Sequence, residues 1–357
     1  MDYKAVEAAE AEFRATGRAP GKQYTFEDFS IPIPGEELNL DGVLCRPENG
    51  FEGYFYKQNF TKEKIVLHFT VGHLKGDILS LTSEKRGHVS TSFVVARDGT
   101  VYQLFSSGAW SYHLGRNAQG GNANQSKVSI GIEISNYGPL IKKDNELHTV
   151  YSKVNDDNKA NDDVYCTLDD TEQYIKLPEK FRGYEYYASF TDEQYHSIIV
   201  LLRYLTSTYK IPRKFVEEAN RFKTSFANSA GFKGITSHVN FRSDKVEIGP
   251  AFDWDRVIEG VTAEVYTGNL LEAAVEKAKQ KVADAKQAIV DAYNALSVAE
   301  AELEAAQSAL TDSDVVPRGI TAVIDKEEDI PEATARGIEG EDDSEPFDID
   351  KSPFYED

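Results

Sequence analysis

Between Leu271 and Leu310, apolar residues recur at alternating intervals of four and three. That is the period of a coiled-coil seam, and it allows little besides one long helix. One register holds Val275, Val282, Ile289, Leu296, Leu303 and Leu310; the other starts at Leu271 and then carries alanine at 278, 285, 292, 299 and 306. Large and small knobs therefore alternate, which lets helices approach closely. Lys279, Lys281 and Lys286 lie in the first half, Glu300 and Glu302 in the second. This order opposes the helix macrodipole and suits an antiparallel partner. Two readings stay open: a seam that joins subunits or attaches to a larger particle through 271–310, and an amphipathic helix folded back on its own domain.

Composition limits the rest. A chain of 357 residues, 40% hydrophobic, can fill a core. A net charge of −21 argues against binding nucleic acid or an anionic membrane through bulk electrostatics. Beyond Thr311 sixteen acidic residues stand against four basic ones, so −12 of that charge belongs to a tail expected to be extended or disordered. Cys45 and Cys166 show no paired or clustered spacing, which points to two idle thiols. The first eighteen residues are charged and helix-prone with no apolar signal-like core, and no stretch approaches a membrane span. The expectation is synthesis in the cytoplasm.

Residues 1–63 read as a helix followed by a Pro/Gly-rich aromatic segment that wraps something larger. From 64 onward strand-like runs appear: KIVLH, TSFVVARDGTVYQLF and VSIGIEIS, the second with Asp98-Gly99 suited to a tight hairpin. Residues 137–189 are polar and tyrosine-rich and interrupt this pattern like an insertion. A helix follows, with a Thr191/Gln194 capping box, a Phe190/Tyr195 staple, an apolar stripe through Ile198, Leu201, Leu202 and Leu205, and an end before Pro212. The expected architecture is α/β, a mixed central sheet flanked by helices over 64–262, with a coiled-coil-type helix over 263–311 and the acidic tail over 312–357.

His68 stands where an apolar strand would continue, sharing a face with Val66. His238 lies in GITSHVNFRSDKVEIGPAFDW, followed by Lys245 and Glu247. Two histidines and a carboxylate form a three-ligand Zn2+ set that leaves one position for water, the composition of a hydrolytic site.

Residues 64–258 resemble the N-acetylmuramoyl-L-alanine amidase family, which includes the phage-lysozyme-type amidases and peptidoglycan recognition proteins. The resemblance rests on IVLHFT, HVSTSFVVARDGTVYQLF, SYHLG, SIGIEIS, FTDEQYHSIIVLLRYL and SHVNFRSDKVEIGPAFDW, in the family's order. It implies His68, His238 and Glu247 as zinc ligands, with glutamate where relatives carry aspartate or cysteine, and Asp244 as the competing third ligand. It further implies Lys245 as the ammonium that steadies an oxyanion and Glu133 as the proton carrier. His113 and Tyr112 are implied as substrate contacts. Thr91 and Ser92 occupy hairpin positions where relatives often hold an aromatic or histidine.

The implied activity is zinc-dependent cleavage of the amide between N-acetylmuramic acid and the L-alanine of peptidoglycan stem peptides. With the long helix and the acidic tail, the expectation extends to a phage or injection-particle component acting on the cell wall after release or delivery. The alternative is a non-catalytic peptidoglycan-binding or structural particle protein on the same fold.

Overall fold

In this computed structural model, residues 2–152, 163–264, 266 and 270–311 are described; within the last stretch, side chains are described at 282, 285–303, 305, 307 and 308. The acidic tail lies outside the described residues. Residues through Tyr266 form one compact unit, and the long helix belongs to a second.

The first unit opens with α1 (Tyr3–Thr16), then β1 (Arg18–Ala19), β2 (Lys22–Pro32) and β3 (Asn39–Pro47). Next come β4 (Lys64–Phe69), α2 (Leu74–Leu81), β5 (Phe93–Val95), β6 (Val101–Gln103), α3 (Asn122–Val128) and β7 (Ser129–Ile134). Strands β8 (Pro139–Lys143), β9 (Glu146–Thr149), β10 (Val164–Thr167), β11 (Tyr174–Phe181) and β12 (Tyr184–Ala188) follow. The unit closes with α4 (Asp192–Tyr209), β13 (Gly234–Ser237), α5 (His238–Phe241) and α6 (Trp254–Thr262).

Eight strands form a mixed sheet in the order β1-β2-β3-β6-β5-β7-β4-β13. Strand β4 runs parallel to both neighbours, β7 and β13, and all six of its residues are buried, as are those of β7. A strand covered on both faces reads as a continuous apolar run, which explains IVL at 65–67. The first 63 residues do more than wrap the domain. Strands β2 and β3 pair antiparallel from Tyr24↔Pro47 to Pro32↔Asn39, and β3 joins β6 in parallel, so this segment extends the sheet.

The expected hairpin is present: β5 and β6 pair antiparallel around Gly99, whose φ of 84° suits glycine. The insertion region carries its own five-stranded sheet in the order β10-β9-β8-β12-β11, with every pairing antiparallel. Helix α4 has the reciprocal Thr191/Gln194 capping box, Phe190 packs near Tyr195 at 6.0 Å between ring centres, and Ile198, Leu201, Leu202 and Leu205 are fully buried. The chain turns out of α4 at Lys210 in the left-handed region, just before Pro212. Both cysteines are free and buried.

The second unit's described part is α7 (Leu270–Thr311), forty-two residues of helix spanning about 63 Å. Among the described residues, no helix is long and apolar enough to cross a membrane.

Candidate metal centre

The parallel register sets the two histidines side by side. His68 is the fifth residue of β4, and Leu67 pairs with Ser237 at the end of β13, so the next residue, His238, opens α5 beside it. Their Nδ1 atoms stand 3.0 Å apart. A backbone bond from Val239 N–H to the Glu247 carbonyl folds the following loop over α5 and places Glu247 Oε1 2.8 Å from His238 Nδ1. One ligand atom from each of His68, His238 and Glu247 lies within 4.8 Å of the others, and all three residues are buried.

The hydrogen-bond network fixes where the protons are. Ser129 Oγ donates to the Gln125 carbonyl at 2.7 Å, so it accepts from His113 Nε2–H at 2.9 Å. His113 Nδ1 then accepts from His68 Nε2–H at 3.0 Å, which leaves a lone pair on His68 Nδ1. His238 Nε2–H donates to the Leu114 carbonyl at 3.0 Å, which leaves a lone pair on His238 Nδ1. Burial first, then the charges of His238, His113 and Lys245, holds His68 well below the usual imidazole value; burial also lowers His238, although Glu247 opposes it. Burial works against charge on Glu247 as well, but the Lys245 ammonium beside it works the other way, and the carboxyl is held at about 2.

Three acceptor atoms therefore converge with no proton among them, an arrangement that a cation resolves. Donors in a tetrahedral zinc site with bonds of about 2.0–2.1 Å stand about 3.3 Å apart, close to the 3.0 Å between the two histidine nitrogens and the 2.8 Å between His238 Nδ1 and Glu247 Oε1. The donor set of two neutral imidazoles and one carboxylate, each imidazole fixed by a bond at its far nitrogen, fits Zn2+.

Strand β7 supplies the wall. Ser129, Gly131 and Glu133 alternate onto one face, and Glu133 pairs directly with His68 across the ladder. Ser129 holds His113. A Cβ on Gly131 would come within 3.0 Å of His113 Cγ and 2.9 Å of Thr91 Cγ2, so glycine makes room for that ring. Glu133 is 1% exposed, and its Oε2 has no partner among the described residues. Burial, then Glu247 and Asp77, push its carboxyl well above the usual range, against the opposing pull of Lys245 and Arg86.

Lys245 is buried with its Nζ 3.7 Å from Glu247 Oε1. Asp244 points elsewhere: it pairs with Arg242, whose Nε donates to its Oδ1 at 2.9 Å, so Glu247 and not Asp244 joins the cluster. A cleft of about 410 Å³ opens onto the site, lined by Tyr112, His113, Arg116, Glu133, His238 and Arg242 among others. Tyr112 packs edge-on against Tyr56 and Trp110 at the cleft wall. His113 lines the cleft, yet its two ring nitrogens face His68 and Ser129. His88 stacks on Tyr56, His148 bonds Ser152, and His196 bonds Tyr266, all outside the cluster.

Sequence reasoning did not single out Ser129 or the Leu114 carbonyl. A backbone acceptor leaves no residue signature; Ser129 could have been found as the residue two before Gly131 on the face of Glu133.

The profile of the N-acetylmuramoyl-L-alanine amidase family matches residues 59–246. Among solved structures, the N-acetylmuramoyl-L-alanine amidase LysC from Clostridium intestinale URNW is similar at 18% identity, covering 56% of this chain and 84% of that one with a TM-score of 0.30. The E. coli N-acetylmuramyl-L-alanine amidase AmiD, solved with anhydro-N-acetylmuramic acid-L-Ala-D-gamma-Glu-L-Lys, is similar at 17% identity, covering 65% of each chain with a TM-score of 0.35. No curated protein matches the chain. The profile match takes in more than half of the 357 residues, and the chain belongs to the N-acetylmuramoyl-L-alanine amidase family.

Proposed function

We propose that this protein is a zinc-dependent hydrolase that cleaves the amide between N-acetylmuramic acid and the L-alanine of the peptidoglycan stem peptide. The observation that carries the reading is the convergence of His68 Nδ1, His238 Nδ1 and Glu247 Oε1, three lone-pair donors with no proton between them. Zn2+ bound there would supply Lewis acidity toward the amide carbonyl and make water acidic enough to attack near neutral pH.

The chain's own groups do the rest. Glu133 lies on the cleft side of β7 with one carboxyl oxygen unpartnered among the described residues, and it takes a proton from the attacking water and returns it to the departing amine. Lys245 sets a positive charge beside Glu247, where it balances negative charge developing on the carbonyl oxygen. His113 orients His68 through its Nδ1 and borders the cleft, and Tyr112 offers a ring face to the glycan or peptide. Delivery by a phage or injection particle rests on the sequence of 271–310 and the acidic residues after it.

Two measurements on purified protein test the reading. Metal analysis of the intact chain is expected to give about one zinc per chain. Digestion of purified peptidoglycan is expected to release peptides with free L-alanine amino termini from wild type and none from His238→Ala. Retained peptidoglycan binding without metal or cleavage would favour the non-catalytic binding reading instead.

A further inference from the structure

The long helix is the feature that hydrolysis does not use. In α7, the seam residues Val282, Ile289, Leu296 and Leu303 are 54%, 69%, 55% and 59% exposed, and Ala285, Ala292 and Ala299 between them are exposed as well. An apolar stripe of this length in water calls for a partner helix.

We propose that two copies of this chain pair through α7 as an antiparallel coiled coil in one register, in which each residue i of the seam faces residue 581 − i of its partner. Three features of the sequence select that register. It superposes the whole of 270–311 on its partner, because 270 and 311 are themselves related by the rule. By heptad position each inner layer then brings a large residue opposite a small one: Val282 opposite Ala299, Ile289 opposite Ala292, Leu296 opposite Ala285, and in the sequence pattern Leu303 opposite Ala278 and Val275 opposite Ala306, while the end layers bring Leu310 opposite Leu271. The flanking positions on either side of the seam also pair. By heptad position Lys279 falls opposite Glu300 on one edge and Lys281 opposite Glu302 on the other, each twice by symmetry, and Lys286 falls opposite Tyr293.

Alternative arrangements lose these matches. In a parallel, in-register pair, Lys281 faces Lys286 of the partner on both edges, which is repulsive, and no Lys–Glu pair forms. Sliding the antiparallel pair by one heptad toward the C-termini brings Lys286 opposite Glu300 but gives up both Lys279–Glu300 and Lys281–Glu302, and it unpairs an end of the seam. Sliding it the other way sets Lys286 against itself. The antiparallel arrangement also aligns opposite helix dipoles and places lysine-rich N-terminal halves beside glutamate-rich C-terminal halves, resolving a charge order that disfavours the isolated helix.

The test uses the full chain and three charge variants, with mass by light scattering at low salt and peptidoglycan cleavage as a check that the first unit stays folded. Wild type is expected at twice the 39.8 kDa chain mass. Lys279→Glu/Lys281→Glu alone and Glu300→Lys/Glu302→Lys alone are each expected to associate at least tenfold more weakly, because each sets like charges together four times. An equimolar mixture of the two is expected to regain the dimer, since every edge contact between unlike copies is again attractive. The four-substitution variant carrying both exchanges is expected to dimerise with itself. A monomeric wild type overturns the proposal, as does a mixture no stronger than its components. A parallel pair would respond to the Lys279→Glu/Lys281→Glu change by tightening, because it removes the Lys281–Lys286 repulsion.

Discussion

The two ends of β4 bury ionisable side chains in opposite ways. At the entry, Lys62 donates to the carbonyls of Ala109, Lys127 and Ser129 at 2.7, 3.0 and 3.1 Å, and Lys64 donates to Gln125 Oε1 and the carbonyls of Ser229 and Ala230 at 2.9, 2.9 and 2.8 Å. Three donors meet three acceptors at each ammonium. At the exit, His68 and His238 aim lone pairs at one point beside Glu247, and Glu133 keeps an oxygen that is unpartnered among the described residues. Burial alone does not distinguish structural from functional charge; the distinction lies in whether the local hydrogen-bond count closes. Ser129 serves both ends, its carbonyl taking Lys62 and its hydroxyl accepting from His113.

The comparison can be broken at either end. Glu133→Gln takes away the proposed proton carrier and leaves His68, His238 and Glu247 unchanged, so cleavage is expected to fall roughly 10²–10⁴-fold while bound zinc stays near wild type, measured by peptide release and metal analysis. Lost metal in that variant would mean that Glu133 supports the ligands instead. Lys62→Met leaves three buried carbonyls without their donor and is expected to cost on the order of 3 kcal/mol in urea unfolding, with cleavage by the folded fraction unchanged. A stability equal to wild type would show that the entry cluster is not structural.

Ser129→Ala sharpens the boundary between the two. It removes the acceptor that sets the His113 tautomer, and a drop of roughly 10–100-fold in zinc affinity is expected in a chelator competition. The smallest effect concerns Asp77, which accepts a bond from Ser135 at 2.6 Å and is pushed by burial to about 7. A carboxyl raised in the folded state contributes stability that is fully present below its unfolded value near 4 and is lost as pH rises through about 7. Asp77→Asn keeps an acceptor for Ser135 and is expected to flatten that part of the stability–pH curve.

The candidate histidines were legible in the sequence because His68 interrupts an apolar strand run and His238 stands in a recognisable run just after another strand, whereas Glu247 was read from the family resemblance. Glu247 was preferred to Asp244 through the resemblance, by its distance from GPAFDW, while both carboxylates follow His238 within ten residues; what the sequence did not show is the Val239–Glu247 backbone bond that brings Glu247 to the histidines and the Arg242–Asp244 ion pair that occupies the other carboxylate. The same holds for residues 137–189. Their polar, tyrosine-rich composition marks an interruption, but antiparallel pairing between strands is a property of register and carries no local mark, so the second sheet appears only on folding.

Periodicity and residue chemistry by themselves determined the long helix, the capped α4, the hairpin at Gly99 and the identity of the histidines. Tertiary structure decided which nitrogen of each histidine keeps its lone pair, because that depends on carbonyls and hydroxyls brought in by β7 and the loop at Leu114. Helical period and capping act over a few neighbours in the chain, whereas a tautomer is set by whatever group arrives across space.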